Sequence, residues 1–165
     1  MHLELRKADI TQKPILANLL ELYVYDFTEF WDFDIGEDGF YGYEKLPLYW
    51  TDPNRFPYLI YVNQKIAGFV LVQQGSPIAD NPNLYDIAEF FVLKKYKRQG
   101  VGTAAALQIW QQFKGDWQVR VLVDNPIATT FWPKAIQKFT NRPPVKTLMT
   151  INNEQWNIYT FTSQG

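Results

Sequence analysis

Two groups of residues in this chain have types and spacings suited to chemistry. The first is a basic, glycine-punctuated run from Lys94 to Gly102, set between an apolar segment (Ile87 to Leu93) and an alanine-rich one (Thr103 to Trp110). The order reads as strand, turn, helix N-terminus. The first backbone N–H groups of a helix lack intrahelical partners and the helix dipole adds positive charge there, so a phosphate-sized anion fits. Gly100 and Gly102 leave the backbone bare for such a guest. The second group is a pair of carboxylates, Asp86 and Glu89, on the same apolar strand. Their opposite parity puts them on opposite faces unless a bulge intervenes. Glu89 is embedded in apolar neighbours, where desolvation would raise its pKa. On residue type alone, a solvated basic surface and two structurally paired carboxylates account for these groups equally well.

Other chemistries are excluded by what is missing. The run from Lys97 to Gly102 is not GxGxxG, and no GxxxxGK[ST] loop occurs. The one histidine is His2, the serines are Ser76 and Ser163, and cysteine is absent. No Ser-His-Asp triad, cysteine nucleophile, disulfide, or histidine- or thiolate-based metal site can be assembled from these, and no metal is expected. The acidic stretch lacks EF-hand spacing. A net charge of −1 argues against a protein that holds nucleic acid by phosphate neutralisation. The amino terminus lacks a signal-peptide pattern and no apolar run reaches membrane-spanning length, so neither membrane nor secretion is expected. The lack of cysteine is compatible with a cytoplasmic location.

The elements that must position these groups follow from patterning. At 165 residues the chain suits a single domain over 1–165. Leu3 to Arg6 alternates as a first strand should. Thr11 is a candidate cap for a helix from about Lys13, with Pro14 in its first turn and Ile15, Leu16, Leu19, Leu20, Leu22 and Tyr23 on one face. Residues 26 to 44 carry seven carboxylates and no Lys or Arg, interleaved with aromatics and broken by Gly36, Gly39 and Gly42. A short helix near Tyr43 to Trp50 follows. Tyr58 to Val62 and Ile66 to Val72 form a hairpin across Asn63-Gln64-Lys65. After the central strand and helix come a strand at Trp117 to Val123 and a helix over Ala128 to Phe139 that must accommodate Pro133. A closing hairpin spans Val145 to Ile151 and Trp156 to Phe161. Helices interleaved with strands, with hairpins at both ends, imply a mixed α/β sheet.

Lys97-Arg98-Gln99-Gly100-Val101-Gly102 resembles the Q/R-x-x-G-x-G/A signature of the GNAT superfamily of acyl-CoA-dependent N-acetyltransferases. Asn125-Pro126-Ile127-Ala128-Thr129-Thr130-Phe131-Trp132 resembles that family's N-x-x-A-x-x-F-Y after the fifth strand, and the element order matches over nearly the whole chain. The resemblance implies an α/β, mixed, mostly antiparallel sheet of about seven strands with flanking helices, splayed between the fourth and fifth strands. It implies acetyl-CoA as co-substrate and direct transfer to a primary amine in a ternary complex. By resemblance, backbone groups of Val92 and Leu93 hold pantetheine and the acetyl carbonyl, Lys97, Arg98, Gln99, Gly100, Val101, Gly102 and Thr103 wrap the pyrophosphate, and Asn125 belongs to the second motif. Lys97 stands where Gln or Arg is usual and keeps the charge without the bidentate fork.

Transfer from a mostly protonated amine needs a base, and the candidates are Glu89 and Asp86. Trp132 stands where many members place a tyrosine acid, and an indole is no acid at neutral pH. Tyr85 and Tyr96 are the tyrosines near the central strand in sequence. The family builds its acceptor site in the region of residues 26 to 44, with Tyr25, Phe27, Glu29 and Trp31 as candidates here. Aromatic faces and carboxylates together suit a cationic amine, either a small molecule or a peptide side chain. The alternative is a non-catalytic acyl-CoA-binding or peptide-binding regulatory module, which Trp132 favours. The resemblance also allows a homodimer.

Overall fold

The computed structural model describes residues 1–165. In chain order it contains β1 (Leu3–Lys7), a 3-10 turn (Ile10–Gln12), α1 (Lys13–Phe27), α2 (Leu48–Thr51), β2 (Arg55–Val62), β3 (Lys65–Gln74) and β4 (Tyr85–Val92). A second 3-10 turn (Lys94–Tyr96) leads to α3 (Val101–Gln112), β5 (Gly115–Leu122), α4 (Pro126–Thr140), β6 (Val145–Ile151) and β7 (Glu154–Ser163). No helix is long and apolar enough to cross a membrane.

The seven strands form one sheet in the order β1-β2-β3-β4-β5-β7-β6. Every neighbouring pair is antiparallel except β4–β5. The mixed, mostly antiparallel α/β sheet expected from the sequence is what forms. Both tight hairpins turn on pairs of left-handed residues, Asn63 and Gln64 (φ 48° and 67°) and Asn152 and Asn153 (φ 50° and 66°). Such pairs match the right-handed twist of the flanking strands, which is why asparagine dominates them.

Two expectations need correction. Asp9, not Thr11, is the cap: its side chain accepts from the Thr11 N–H while the Gln12 side chain accepts from the Asp9 N–H. That reciprocal box nucleates a 3-10 turn, which hands the chain to α1 with Pro14 near the helix start. The helix foreseen from Tyr43 is confined to Leu48–Thr51, with Pro47 as its cap. Conversely, α4 runs through Pro133 without ending. An interior proline costs about 3 kcal/mol, and burial of Trp132, Ala135 and Ile136 on the same helix offsets it.

The sheet separates two apolar layers. On one face α3 and α4 pack Val101, Ala105, Ile109, Trp110, Trp132 and Ile136 against Ile60, Val70, Val72 and Ile87. On the other, α1 and the segment before β2 pack Leu16, Leu19, Leu20, Leu46 and Tyr49 against Leu59, Phe69, Leu71 and Phe91. Two features of β4 matter for function. It meets β5 only at Tyr85–Trp117 and Asp86–Gln118, so beyond Asp86 the strands splay. Opposite β3 the register slips, with Val72 facing Ile87 and Leu71 facing Glu89, which leaves Ala88 as an extra residue. A bulge of this kind bends its strand and increases the local twist, and so helps open the splay.

Candidate active site

The first half of the site is the gap between β4 and β5 and the helix end beside it. The Leu93 N–H donates to the Ala67 carbonyl (2.8 Å). Because an antiparallel ladder alternates, the backbone N–H and C=O of Val92 turn away from β3, into the gap. Leu93 then starts the 3-10 turn, and Gln99 closes the loop by donating its side-chain N–H to the Lys95 carbonyl (2.8 Å). Arg98 and Gly100 are both left-handed (φ 61° and 79°), which folds the loop back onto the start of α3. The first α3 bond runs from the Ala104 N–H to the Gly100 carbonyl (3.0 Å), and no side chain caps the helix. The N–H groups of Val101, Gly102 and Thr103 are therefore without helical partners.

Val101 anchors this turn in the core while Lys97, Arg98, Gln99 and Gly100 are exposed. A Cβ on Gly102 would meet the Phe131 ring at 3.3 Å, so the absent side chain lets α3 approach α4 closely. Asn125 acts locally, its side-chain oxygen accepting from the Ala128 N–H (3.1 Å) and so capping α4. Trp132 is buried edge-on to Phe90 and Phe131, each at 4.9 Å, and presents no ionisable group. Tyr85 stacks on Trp117 (5.2 Å) at the far end of β4, roughly 23 Å of strand from Val92. Tyr96 lies at the same end of β4 as Val92.

The second half lies on the α1 side of the sheet. The Ala88 bulge cancels the parity difference, so Asp86, opposite Gln73, and Glu89, opposite Leu71, share this face. Their surroundings differ sharply. Asp86 is fully buried and accepts four hydrogen bonds: Arg120 Nε (3.0 Å) and Gln118 Nε2 (3.0 Å) on one oxygen, Arg120 Nη2 (2.8 Å) and Gln73 Nε2 (2.7 Å) on the other. Both oxygens are committed, and the carboxylate acts as counter-ion to Arg120.

Glu89 has no such set of donors, and burial pushes its carboxyl up to about 7. The Tyr23 hydroxyl, the Arg120 charge and the Tyr43 hydroxyl pull it down, while the Asp86 charge pushes it up. Tyr23 and Tyr43 are themselves driven well above the ordinary phenol range, first by burial and then by the Glu89 charge. Tyr49 is pushed up to about 12 by burial, and its hydroxyl is buried without a partner. Near neutral pH the cluster thus holds one carboxyl poised between its two forms among phenols that remain protonated.

Past α1 the chain builds an aromatic wall. Phe27 stacks with Trp31 (6.3 Å), Trp31 with Phe33 (5.9 Å), and Trp31 meets Trp156 of β7 at 5.7 Å. Tyr25 and Glu29 are exposed on its outer side. The Glu21 carboxylate accepts from the Tyr41 (2.7 Å) and Gly42 (2.9 Å) N–H groups and straps the acidic stretch to α1.

Tyr23, Tyr43, Arg120 and Trp156 were not foreseen in the sequence. Tyr23 reads there as one more apolar residue of a helix face. Arg120 carried a signal: it is the lone charge within the alternating Val119, Val121 and Val123.

No curated protein sequence matches the chain. The fold, however, is shared with many solved structures. An acetyltransferase from Thermus thermophilus superposes with a TM-score of 0.70 at 15% identity, over 98% of this chain and 97% of that one. PaiA N-acetyltransferase from Thermoplasma acidophilum, in complex with coenzyme A, gives 0.68 at 13% identity, over 98% and 99%. Spermidine N-acetyltransferase from Vibrio cholerae, in complex with CoA and spermine, gives 0.64 at 12% identity, over 98% and 95%. The model of the acetyltransferase (GNAT) family matches residues 16–136, from the first turn of α1 through most of α4, and the chain belongs to that family.

Proposed function

We propose that the protein transfers an acetyl group from acetyl-CoA to a primary, cationic amine by direct attack in a ternary complex, with Glu89 as general base. The observation that carries this reading is the Ala88 bulge, which turns Glu89 onto the α1 side of β4, the side proposed for the acceptor. Three residues further along, roughly 10 Å, Val92 opens its backbone into the gap. The N–H groups of Val101, Gly102 and Thr103, with Lys97 and Arg98 beside them, suit the pyrophosphate. Val92 and Leu93 suit the pantetheine arm and the thioester carbonyl. Asn125 supports this half by holding the α4 N-terminus.

Catalysis then needs three things from the chain. The wall of Phe27 and Trp31 excludes water and offers π faces to a cation, with Tyr25 and Glu29 at its outer margin. Glu89, ionised for part of the time near pH 7, accepts the proton that the ammonium must lose, directly or through one water, while Tyr23 and Tyr43 steady its anion. The amine lone pair attacks the thioester carbonyl carbon, the C–S bond breaks, and the second proton leaves the nitrogen to water as the amide forms. The thiolate takes a proton from water, since Trp132 offers none.

The neighbouring structures whose names include spermidine support a polyamine-like acceptor. Acetyl-CoA and a panel of primary amines, followed by thiol release, test the reading. Turnover with cationic amines, lost on Glu89→Gln, is expected; turnover confined to neutral or acidic amines removes the charge argument. Trp132 supports a second reading, a module that binds acyl-CoA without turning it over. Acetyl-CoA binding with no thiol release across the panel would select it.

A further inference from the structure

Arg120 is the one cation among the groups that act most strongly on Glu89, and the reaction outlined above leaves it without a role. It stands in β5 with Gln118 on the same face, while Val119 and Val121 point to the opposite layer. Both of its hydrogen bonds to Asp86 are charge-assisted and parallel, Nε to one oxygen and Nη2 to the other. Asp86 is in turn fixed by Gln73 from β3 and Gln118 from β5. The pair sits at the last point where β4 and β5 still touch, Asp86 opposite Gln118, just before the strands part. The guanidinium is thus pinned at the root of the gap, on the face that Glu89 shares because of the Ala88 bulge.

A buried ion pair as such is weak evidence for stability, because desolvation offsets most of its Coulomb energy. Four hydrogen bonds on one carboxylate, on the same face as a second carboxylate that has no ion-pair partner, instead point to a role in setting that second group. We propose that Arg120, locked by Asp86, is the positioning residue of this site, its fixed charge on the shared face favouring the anionic form of Glu89. This rests on the reading of Glu89 as the base. The groups that face Glu89 are Tyr23 from α1, Tyr43 from the following loop, Asp86 on its own strand and Arg120 from β5, with Tyr49 of α2 beyond them. Among those closest to it, Arg120 is the only cation. Asp86 opposes it, so the net field at Glu89 is a balance that fixed geometry maintains and a mobile lysine would not.

The test is direct titration of Glu89 by carboxyl-carbon NMR on glutamate-labelled full-length protein, with Glu89→Gln to assign the signal. Removing a neighbouring opposite charge from a buried carboxyl raises its midpoint by about one unit or more. Arg120→Met is therefore expected to move Glu89 upward by about one unit, and to cut kcat/KM at pH 7 about fivefold with recovery by pH 9. Mere loosening would hydrate Glu89 and move it downward, so the sign separates the two. An unmoved or lowered midpoint overturns the inference. Should Arg120→Met fail to fold, Arg120→Gln, which keeps donors for Asp86 without the charge, must show the same rise. Glu89→Gln distinguishes the failures: full turnover in that variant removes the base reading, whereas an inactive variant with an unmoved midpoint in Arg120→Met removes this inference alone.

Discussion

Trp31, in the irregular stretch after α1, packs against Trp156 at the start of β7 with ring centroids 5.7 Å apart and planes tilted by 49°. The contact joins a segment that has almost no backbone ladder of its own to the most distant part of the sheet in sequence. Aromatic pairs contribute about 0.5–1.5 kcal/mol beyond the area they bury.

Trp156→Ala should therefore raise KM for the acceptor by about threefold to tenfold while leaving KM for acetyl-CoA unchanged, since the proposed CoA half of the site lies on α3 and β4. Steady-state kinetics with each substrate varied in turn would check this. An equal rise in both constants would show that the tryptophan pair holds the sheet and not the acceptor wall.

Glu89, the proposed base, links stability to pH with a definite sign. Its folded pKa is raised to about 7, above the value of 4.5 for a free glutamate. Between those values the native state keeps a proton that the unfolded state has lost, so stability falls as pH rises from about 4.5 to 7 and levels off above. The neutral isostere Glu89→Gln removes that cost. It should be more stable than the parent at pH 8, by on the order of 3 kcal/mol, and close to it near pH 4.5. Urea unfolding at the two pH values measures the difference; a variant no more stable at pH 8 would mean that Glu89 is not desolvated in solution.

The same residue shows where sequence reasoning stops. The strand itself was legible from its apolar run, the two hairpins from Asn63-Gln64 and Asn152-Asn153, and the helix-end turn from Gly100 and Gly102. Period-two parity gave Asp86 and Glu89 opposite faces, and one extra residue at Ala88 reversed that. Nothing local marks the bulge, because Ala88 fits a regular strand as well as a bulged one. Arg120 and Asp86 lie 34 positions apart, so their pairing belongs to the β4–β5 contact and not to any short pattern. Residues 28 to 47 were opaque for a related reason: strap and wall contacts to Glu21 and Trp156 order them, where hydrophobic periodicity has no part.

Arg98 offers a way to separate the fold from the anion site. It is exposed, carries no ion pair, and holds φ at 61°, a conformation that costs a non-glycine residue roughly 1–2 kcal/mol. Glycine relieves that strain, so Arg98→Gly should fold with a thermal midpoint equal to or above the parent's. The proposed pyrophosphate contact disappears in the same substitution. A charge-assisted hydrogen bond of this kind is worth about 1.5 kcal/mol, so KM for acetyl-CoA should rise about tenfold, with the acceptor's KM unmoved. Because the contact is solvent-exposed, the penalty should shrink when ionic strength is raised to about 1 M, where the Debye length falls to about 3 Å. A loss of thermal stability would mean that the loop depends on the arginine side chain. An unchanged KM for acetyl-CoA would move the pyrophosphate off this loop and onto the bare α3 N–H groups alone.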